Sequence, residues 1–281
     1  MNLVFFGSSP FSKIILEKLV KAGYSPIAGD LRRENYFEEF KKLNTDICIV
    51  AAYGKIIPKE YLEVPKSGFL NVHPSLLPKY RGSSPIQAAI LNSEKETGVT
   101  IIKMDEQIDH GEIVSSIKHK ISGKENYKSL EKKLADLGAE LLIKTLPKWI
   151  KGEIEPKKQN HSETTYTKKF SWLDGKIDWT KAAREIDRQI RALNPEPGVW
   201  TNWDGKIIKI LEALPIPEKN DNLKTGQVFV TENKKAAIKC GFQTALLIKI
   251  IQLEGKKQVD VKDFLNGHKN FIGSILYAGD E

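Results

Sequence analysis

The sequence predicts an α/β fold in two parts, a doubly wound and mostly parallel sheet followed by a small β-barrel. Three observations lead there. Apolar strand-like runs alternate with amphipathic helical runs as far as Ile150, which calls for right-handed crossovers between parallel strands. A polar stretch containing Pro156 interrupts the alternation between Gly152 and Thr165. Beyond Gly198 only short alternating runs remain, at the spacing of a small barrel. At 281 residues the chain also exceeds the roughly 100 to 200 of one ordinary domain, so two cores are expected. The expected boundaries are a first domain over 1–165, a connecting segment over 166–198 and the barrel over 199–281.

The opening N-L-V-F-F reads as a short buried strand, and Gly7-Ser8-Ser9-Pro10 leads from it into a helix. Ser8 or Ser9 can cap that helix, Pro10 suits its first turn, Phe11, Ile14, Ile15, Leu19 and Val20 recur on one face, and Gly23 stops it. Ser25 to Ala28 reads as a second strand, Glu34 to Leu43 as a helix, and Asp46 to Ala52 as a β-branched strand ended by Tyr53-Gly54. Phe69 to His73 and Val99 to Met104 supply further strands, with a helix at Pro85 to Leu91 between them. Tyr127 to Ile150 is a long amphipathic helix that closes the first domain, and Thr180 to Leu193 another, with Ala183, Ile186, Ile190 and Leu193 on one face. After Asn194-Pro195-Glu196-Pro197-Gly198 come V-W-T-N-W, K-I-I-K-I-L-E-A, G-Q-V-F-V, K-A-A-I-K-C and A-L-L-I-K-I-I-Q-L, the strands of the barrel.

Composition narrows the class without naming it. Hydrophobic residues at 40% and charged residues at 28% are ordinary for a globular protein and exclude a disordered or fibrous one. No apolar run approaches the roughly 20 residues that span a bilayer, and the first residues carry neither a basic segment nor a cleavage site, so a cytoplasmic location without membrane is expected. Cys48 and Cys240 lie far apart and are expected to be buried as small apolar residues. The net charge of +8 admits a nucleic-acid partner, but it is spread thin: 25 basic against 21 acidic residues up to 165, 7 against 6 up to 205, and 12 against 9 beyond.

The densest chemistry lies in N-V-H-P-S-L-L-P-K-Y-R-G, residues 71 to 82, at the end of an apolar strand, where open α/β sheets keep their sites. Strand alternation sets Asn71 and His73 on one face and Val72 on the other. An amide donates without titrating and an imidazole exchanges a proton near neutrality, so the pair can hold a developing oxyanion. The bland alternative makes Asn71 a turn residue and His73 a hydrogen-bonded core residue. A second segment, residues 98 to 114, runs a strand into an acidic tip with Asp105, Glu106 and Asp109. A carboxylate there can hold the imidazole tautomer and take a proton, and Asp109 is favoured over Asp105 because it precedes His110-Gly111 at a tight turn. The spacing fits neither calcium nor zinc, and no metal is expected.

The string S-L-L-P-K-Y-R-G after Asn71 and His73, with I-D-H-G near residue 110, resembles the folate-dependent formyltransferases. S-P-I-Q at 84 to 87, E-T-G-V-T-I at 96 to 101, T-Y-T-K-K-F and G-K-I-D-W between 165 and 179, I-R-A-L-N-P-E-P-G at 190 to 198 and G-K-K-Q-V-D-V-K-D-F-L-N-G at 255 to 267 are similar to the methionyl-tRNA branch of that family. The resemblance implies a Rossmann-like catalytic domain and a C-terminal barrel of the open Greek-key, OB-like type. It implies Asn71, His73 and Asp109 as the catalytic trio, with 10-formyltetrahydrofolate as donor. The folate would meet Tyr53, Gly54, Asp105 and Gly111, with further contacts from Ser75, Leu76, Leu77 and Pro78. The implied acceptor is the α-amino group of initiator methionyl-tRNA, for translation initiation, and the implied enzyme is a monomer. Attack by a neutral amine needs no strong base, since a free α-amino group titrates near about 7.7 to 8.0.

The chain departs from that branch at one place. The family carries a long basic loop after the second strand, where this sequence passes from Ile27-Ala28-Gly29 through Asp30-Leu31-Arg32-Arg33 straight into a helix. Arg32 and Arg33 are all that could meet phosphate there, so lysines of the barrel, Lys206 and Lys209 among them, are expected to carry more of the RNA contact. The short loop leaves a rival acceptor, the amine of a sugar nucleotide or ribonucleotide. A dinucleotide-dependent oxidoreductase is excluded, because Gly7-Ser8-Ser9-Pro10-Phe11-Ser12 is not G-x-G-x-x-G. A non-catalytic RNA-binding protein on the same fold would show no turnover with any amine.

Overall fold

β1 (Leu3–Gly7) is buried over its first four residues, as its unbroken apolar run demands. In the computed structural model, which describes residues 1–277, it lies inside a six-stranded sheet. α1 (Pro10–Lys21) starts on a capping box: Ser9 Oγ accepts from Ser12 N at 3.2 Å, and Ser9 N donates to Ser12 Oγ at 2.9 Å. Of the two serines admitted by the sequence, Ser9 is therefore the cap. β2 (Ile27–Ala28) is only two residues long, α2 (Tyr36–Lys42) follows, and β3 (Ile47–Ala51) is wholly buried. α3 (Lys59–Leu62), β4 (Phe69–His73), β5 (Arg81–Gly82) and α4 (Pro85–Leu91) lead to the long pair β6 (Glu96–Lys103) and β7 (Ile113–Lys120). α5 (Tyr127–Ile150) occupies the whole of the predicted helix, and β8 (Tyr166–Thr167) pairs in parallel with β5.

The sheet order is β2-β1-β3-β4-β6-β7. The pairs β1–β2, β1–β3 and β3–β4 are parallel, whereas β4–β6 and β6–β7 are antiparallel. The expected parallel sheet thus covers one side of β4, and a β-hairpin forms the other. Apolar periodicity reports burial and not strand direction, so the sequence could not separate the two.

Both faces of the sheet are covered. On one, Phe6, Tyr36, Phe40, Tyr61 and Phe69 pack in a cluster of mostly tilted and edge-on rings, with Tyr36 stacked on Tyr61 and the Phe6 and Tyr53 centroids 5.3 Å apart. On the other, Val72 meets α5 at Gly138, and Lys18 of α1 pairs with Asp136 of α5 at 2.8 Å. Val72 therefore points away from its neighbours Asn71 and His73, as alternation requires. Cys48 is fully buried in the sheet, and Cys240, in the second unit, nearly so; burial pushes both thiols up, Cys240 to about 12.

The chain divides into two compact units, one of residues 1–89 and 94–169, the other of residues 90–93 and 170 onward. Residues 170–198, expected to connect, are part of the second unit. α6 (Ala183–Leu193) buries Ala183, Ile186, Ile190 and Leu193, while Ala183 N donates to Thr244 Oγ1 at 2.9 Å and Asn194 Nδ2 to Ile210 O at 2.9 Å. β9 (Trp200–Trp203), β10 (Lys206–Pro217), β11 (Val228–Val230), β12 (Ala236–Cys240) and β13 (Thr244–Leu253) form an antiparallel sheet in the order β11-β12-β13-β10-β9. β14 (Val259–Asp260) adds to β13 and runs into α7 (Val261–Gly267). The edges meet through the last described residues: Tyr277 bridges Asn202 at β9, and Ile275 bridges Gln227 beside β11. The ring is closed, which is the barrel the short runs predicted.

Candidate active site

Asn71 and His73 stand at the carboxyl end of β4, where the sheet changes from parallel to antiparallel pairing. The loop after β6 brings Asp109 to them. Asn71 Nδ2 donates to Asp109 Oδ1 at 3.0 Å, and His73 Nδ1 lies 3.5 Å from the same oxygen. Gly82 N donates to Asp109 Oδ2 at 2.8 Å, so both carboxylate oxygens are engaged. The side chain of Asp109 is only 11% exposed and that of His73 5%. Water is therefore largely excluded from the contact, where a charge acts more strongly than in solvent.

The imidazole roles follow from its other neighbour. His73 Nε2 lies 2.9 Å from the Tyr80 carbonyl, which can only accept, so Nε2 carries a hydrogen. Nδ1 is then the nitrogen turned to Asp109, and a proton arriving there sits between an imidazole nitrogen and a carboxylate oxygen. The Asn71 amide donates one of its two N–H groups to Asp109.

These three groups line a cavity of about 460 Å³, within the range of small-molecule sites. Its wall includes Tyr53 and Gly54 after β3, the apolar Ile56 and Met104, and Asp105 through Asp109 after β6. Ile56 is 78% exposed and Ile108 60%, so both offer apolar surface to a ligand.

Two backbone features shape the acidic loop. Asp109 has a left-handed backbone at φ 48°, uncommon for a residue with a side chain. At Gly111 an added Cβ would fall 1.8 Å from the Lys103 carbonyl oxygen, so only glycine admits this close approach. Asp105 lines the cavity but is paired with His110 Nδ1 at 2.5 Å. The His110 ring stacks on His161 at 4.3 Å; desolvation, then the charges of His110 and Arg81, hold the His161 pKa below its usual value.

The remaining predicted residues fall elsewhere. Ser75, Leu76, Leu77, Pro78 and Gly111 do not line the cavity. Ser75 is fully buried and braces its own loop, its hydroxyl donating to Lys79 O at 2.7 Å and its carbonyl accepting from Thr100 Oγ1 at 2.7 Å. Arg32 forks onto Asp30 at 2.7 and 2.8 Å, and Arg33 meets Glu39 at 2.6 Å, so both guanidinium groups are neutralised within their own segment. In the barrel unit, Lys206 is exposed, and Lys209 Nζ lies 5.1 Å from the centre of the Trp172 ring.

Sequence reading missed Arg81 and Gln159. Both are buried, at 2% and 5% exposure, and Gln159 reaches the acidic loop from the stretch taken as polar connection. The Y-R-G string drew notice to Arg81 only as part of a motif, and nothing in the sequence marked Gln159. Among the described residues there is no group of three or more His, Cys, Asp or Glu side chains able to hold a metal, and no helix long and apolar enough to cross a membrane.

Comparison with known proteins gives concordant matches. Residues 11–146 match the formyl transferase family and residues 170–269 its C-terminal domain. A methionyl-tRNA formyltransferase of Lachnospira eligens is 36% identical, with 98% of this chain and 99% of that protein covered. One from Caldanaerobacter subterraneus is 41% identical over 95% of this chain and 85% of its own. Among solved structures, HypX from Aquifex aeolicus in complex with tetrahydrofolic acid superposes with a TM-score of 0.77 at 18% identity, covering 97% of this chain and 48% of that one. This chain thus spans about half of HypX. An N-formyltransferase from Helicobacter canadensis, in complex with folinic acid and dTDP-3-aminofucose, gives 0.67 at 22% identity over 88% of this chain and 98% of its own. At these identities the two structures show a shared fold.

Proposed function

The chain belongs to the methionyl-tRNA formyltransferase family, and on that premise we propose that it transfers the formyl group of 10-formyltetrahydrofolate to the α-amino group of initiator methionyl-tRNA. The observation that carries this reading is the convergence of Asn71, His73 and Asp109 at one end of a cavity with apolar and polar walls. The donor supplies an activated formyl carbon. The second N–H of Asn71 receives the formyl oxygen as charge builds on it, beside the buried contact of Asp109 with His73. His73 and Asp109 take the proton that the attacking amine must lose, on the Nδ1 side of the imidazole, and return it to the departing folate nitrogen. Gly82 N–H holds the second carboxylate oxygen, so Asp109 is oriented before either substrate arrives. Tyr53, Gly54 and Asp105 belong to the donor's share of the cavity in this reading. Ser75, Leu77 and Gly111 act on it through the contacts that brace their loops, and Leu76 and Pro78 belong to the first of those loops.

The acceptor is read from full-length likeness and not from the loop after β2. With Arg32 and Arg33 ion-paired to their own neighbours, the lysines of the barrel are the better candidates for phosphate, Lys206 and Lys209 among them. The enzyme is read as a cytoplasmic monomer that works without a metal.

The test is formyl transfer by the purified protein to charged initiator methionyl-tRNA, with elongator methionyl-tRNA and amino sugars of sugar nucleotides in parallel. Turnover on the initiator alone is the expected result. Turnover only on a sugar or nucleotide amine would keep the donor and the trio, and would replace the acceptor.

A further inference from the structure

Gln159 has no bonding capacity left for a ligand. Its Nε2 donates to the carbonyls of Asp109 at 2.8 Å and Gly111 at 2.7 Å. Its Oε1 accepts from Arg81 Nη2 at 2.7 Å and Nε at 3.2 Å. A primary amide owns two N–H groups and two lone pairs, and all four are spent. Arg81 is anchored in turn: its backbone N donates to Thr165 O at 2.9 Å, and its Nη2 also meets His161 Nδ1 at 2.9 Å. The residue after it, Gly82, holds the Asp109 carboxylate. Asp109 is therefore held at both ends, by its carboxylate from Gly82 and Asn71 and by its main chain from Gln159. The left-handed backbone at Asp109 costs conformational energy and persists only where surroundings hold it. The two carbonyl contacts on either side of His110 are such a hold.

We propose that Gln159, oriented by Arg81, is a positioning residue for the reaction: it fixes the turn from Asp109 to Gly111 so that the carboxylate meets Asn71, His73 and Gly82 together. The proposal rests on the formyl-transfer reading for its kinetic consequence, and misplacing a reacting group by about 1 Å can cost about 100-fold in rate.

Two variants separate this from a merely structural part. Gln159→Met keeps length and burial and removes all four bonds, while Gln159→Glu still accepts from Arg81 and loses the two donations to carbonyl oxygen. Both are expected to lower kcat by about 30- to 100-fold with KM for the donor within about threefold. In an Asp109→Asn background the added Gln159 substitution should change kcat by less than about twofold, because the two act through one group. Hydrogen exchange at the Gly82 amide, which Asp109 protects, should quicken by about tenfold or more in either Gln159 variant. Wild-type kcat and wild-type Gly82 protection in a folded variant would overturn the proposal, and so would a loss that multiplies in full with that of Asp109→Asn. If the unaltered protein transfers formyl to no acceptor, the functional reading fails, while Gly82 exchange still decides the positioning role. Should the Gln159 variants fail to fold, Arg81→Lys, which keeps the charge and loses the paired donors, must show the same faster exchange.

Discussion

Two loops leave the same sheet of the first unit, and each contains a non-glycine residue in the left-handed region: Asn35 at φ 56° and Asp109 at φ 48°. Around Asp109 the polar contacts come from far along the chain, 27 residues for Gly82, 38 for Asn71 and 50 for Gln159. In the loop after β2 the charges are settled locally, Asp30 with Arg32 two residues on and Arg33 with Glu39 six residues on. That loop is tied to the cavity wall at the Tyr53 hydroxyl, which accepts from Leu31 N at 2.7 Å. Distant partners fix a group in space and exclude water from it; near partners satisfy a charge and leave its position free. The proposed chemistry needs the first kind of loop.

The largest effect should come from removing the group on which the distant contacts converge. Asp109→Ala is expected to lower turnover by about 10³-fold, within the usual span of about 10² to 10⁴ for a lost proton-transfer group. Asn71→Ala should cost about 10²- to 10³-fold, or roughly 3 to 4 kcal/mol. Steady-state rates with saturating donor check both, and a loss below about threefold at Asn71 would retire its role at the oxyanion.

The backbone of the two loops gives the next contrast. Gly111→Ala forces a Cβ against the Lys103 carbonyl and should destabilise the protein by about 1 to 3 kcal/mol. Asn35→Gly, in the other loop, should move stability by less than about 1 kcal/mol, in the stabilising direction. Urea midpoints of the two variants measure this, and equal losses would erase the distinction.

A smaller effect is expected on the RNA. Lys209→Ala should raise KM for methionyl-tRNA by about threefold and lower the slope of log affinity against log salt by about 1. Arg32→Ala and Arg33→Ala, whose charges are already paired, should each change that KM by less than about twofold. The reverse order would make the shortened loop a reader of RNA after all.

The smallest effect concerns pH. Hydrogen bonds from Arg32 hold the Asp30 carboxyl down to about 2, against an ordinary value near 3.8. A depressed carboxylate binds its proton more readily in the unfolded chain, so the pair contributes stability above about pH 4 and loses it as pH falls towards about 2. The Asp30 side chain is partly exposed and its Arg32 partner largely so, which screens the gain. Acid unfolding of Asp30→Asn should therefore nearly overlay the unaltered protein, with a slight deficit that is full above about pH 4 and fades towards about pH 2.

Much of this was legible in the sequence, for reasons that can be named. Alternation along Asn71-Val72-His73 is a property of any strand, and it oriented all three side chains correctly. Ser9, Pro10 and Ser12 carry their helix start in local chemistry, and the Asp109-His110-Gly111 turn announced itself by its glycine. What escaped was non-local. Strand direction at β6 and β7 is set by a hairpin, and periodicity is blind to it. Gln159 sits among Lys157, Lys158 and Asn160 with nothing to distinguish it, and only the fold reveals that one polar residue of that run is buried on the acidic loop. The stripe of α6 was plain from its spacing, but the barrel it covers was not specified by the helix itself.

The manner in which the barrel closes has a consequence for the order of synthesis. β9 emerges from the ribosome some seventy residues before Tyr277, the residue that bridges it, and β11 almost fifty before Ile275 seals its other side. Until those late residues arrive, both strands present open edges, the feature of a sheet most prone to recruit a neighbouring chain. The first unit can assemble its sheet while translation continues, but the second must wait for its final turn of chain, and a ribosome stalled shortly before residue 275 would hold out a sticky, unfinished ring.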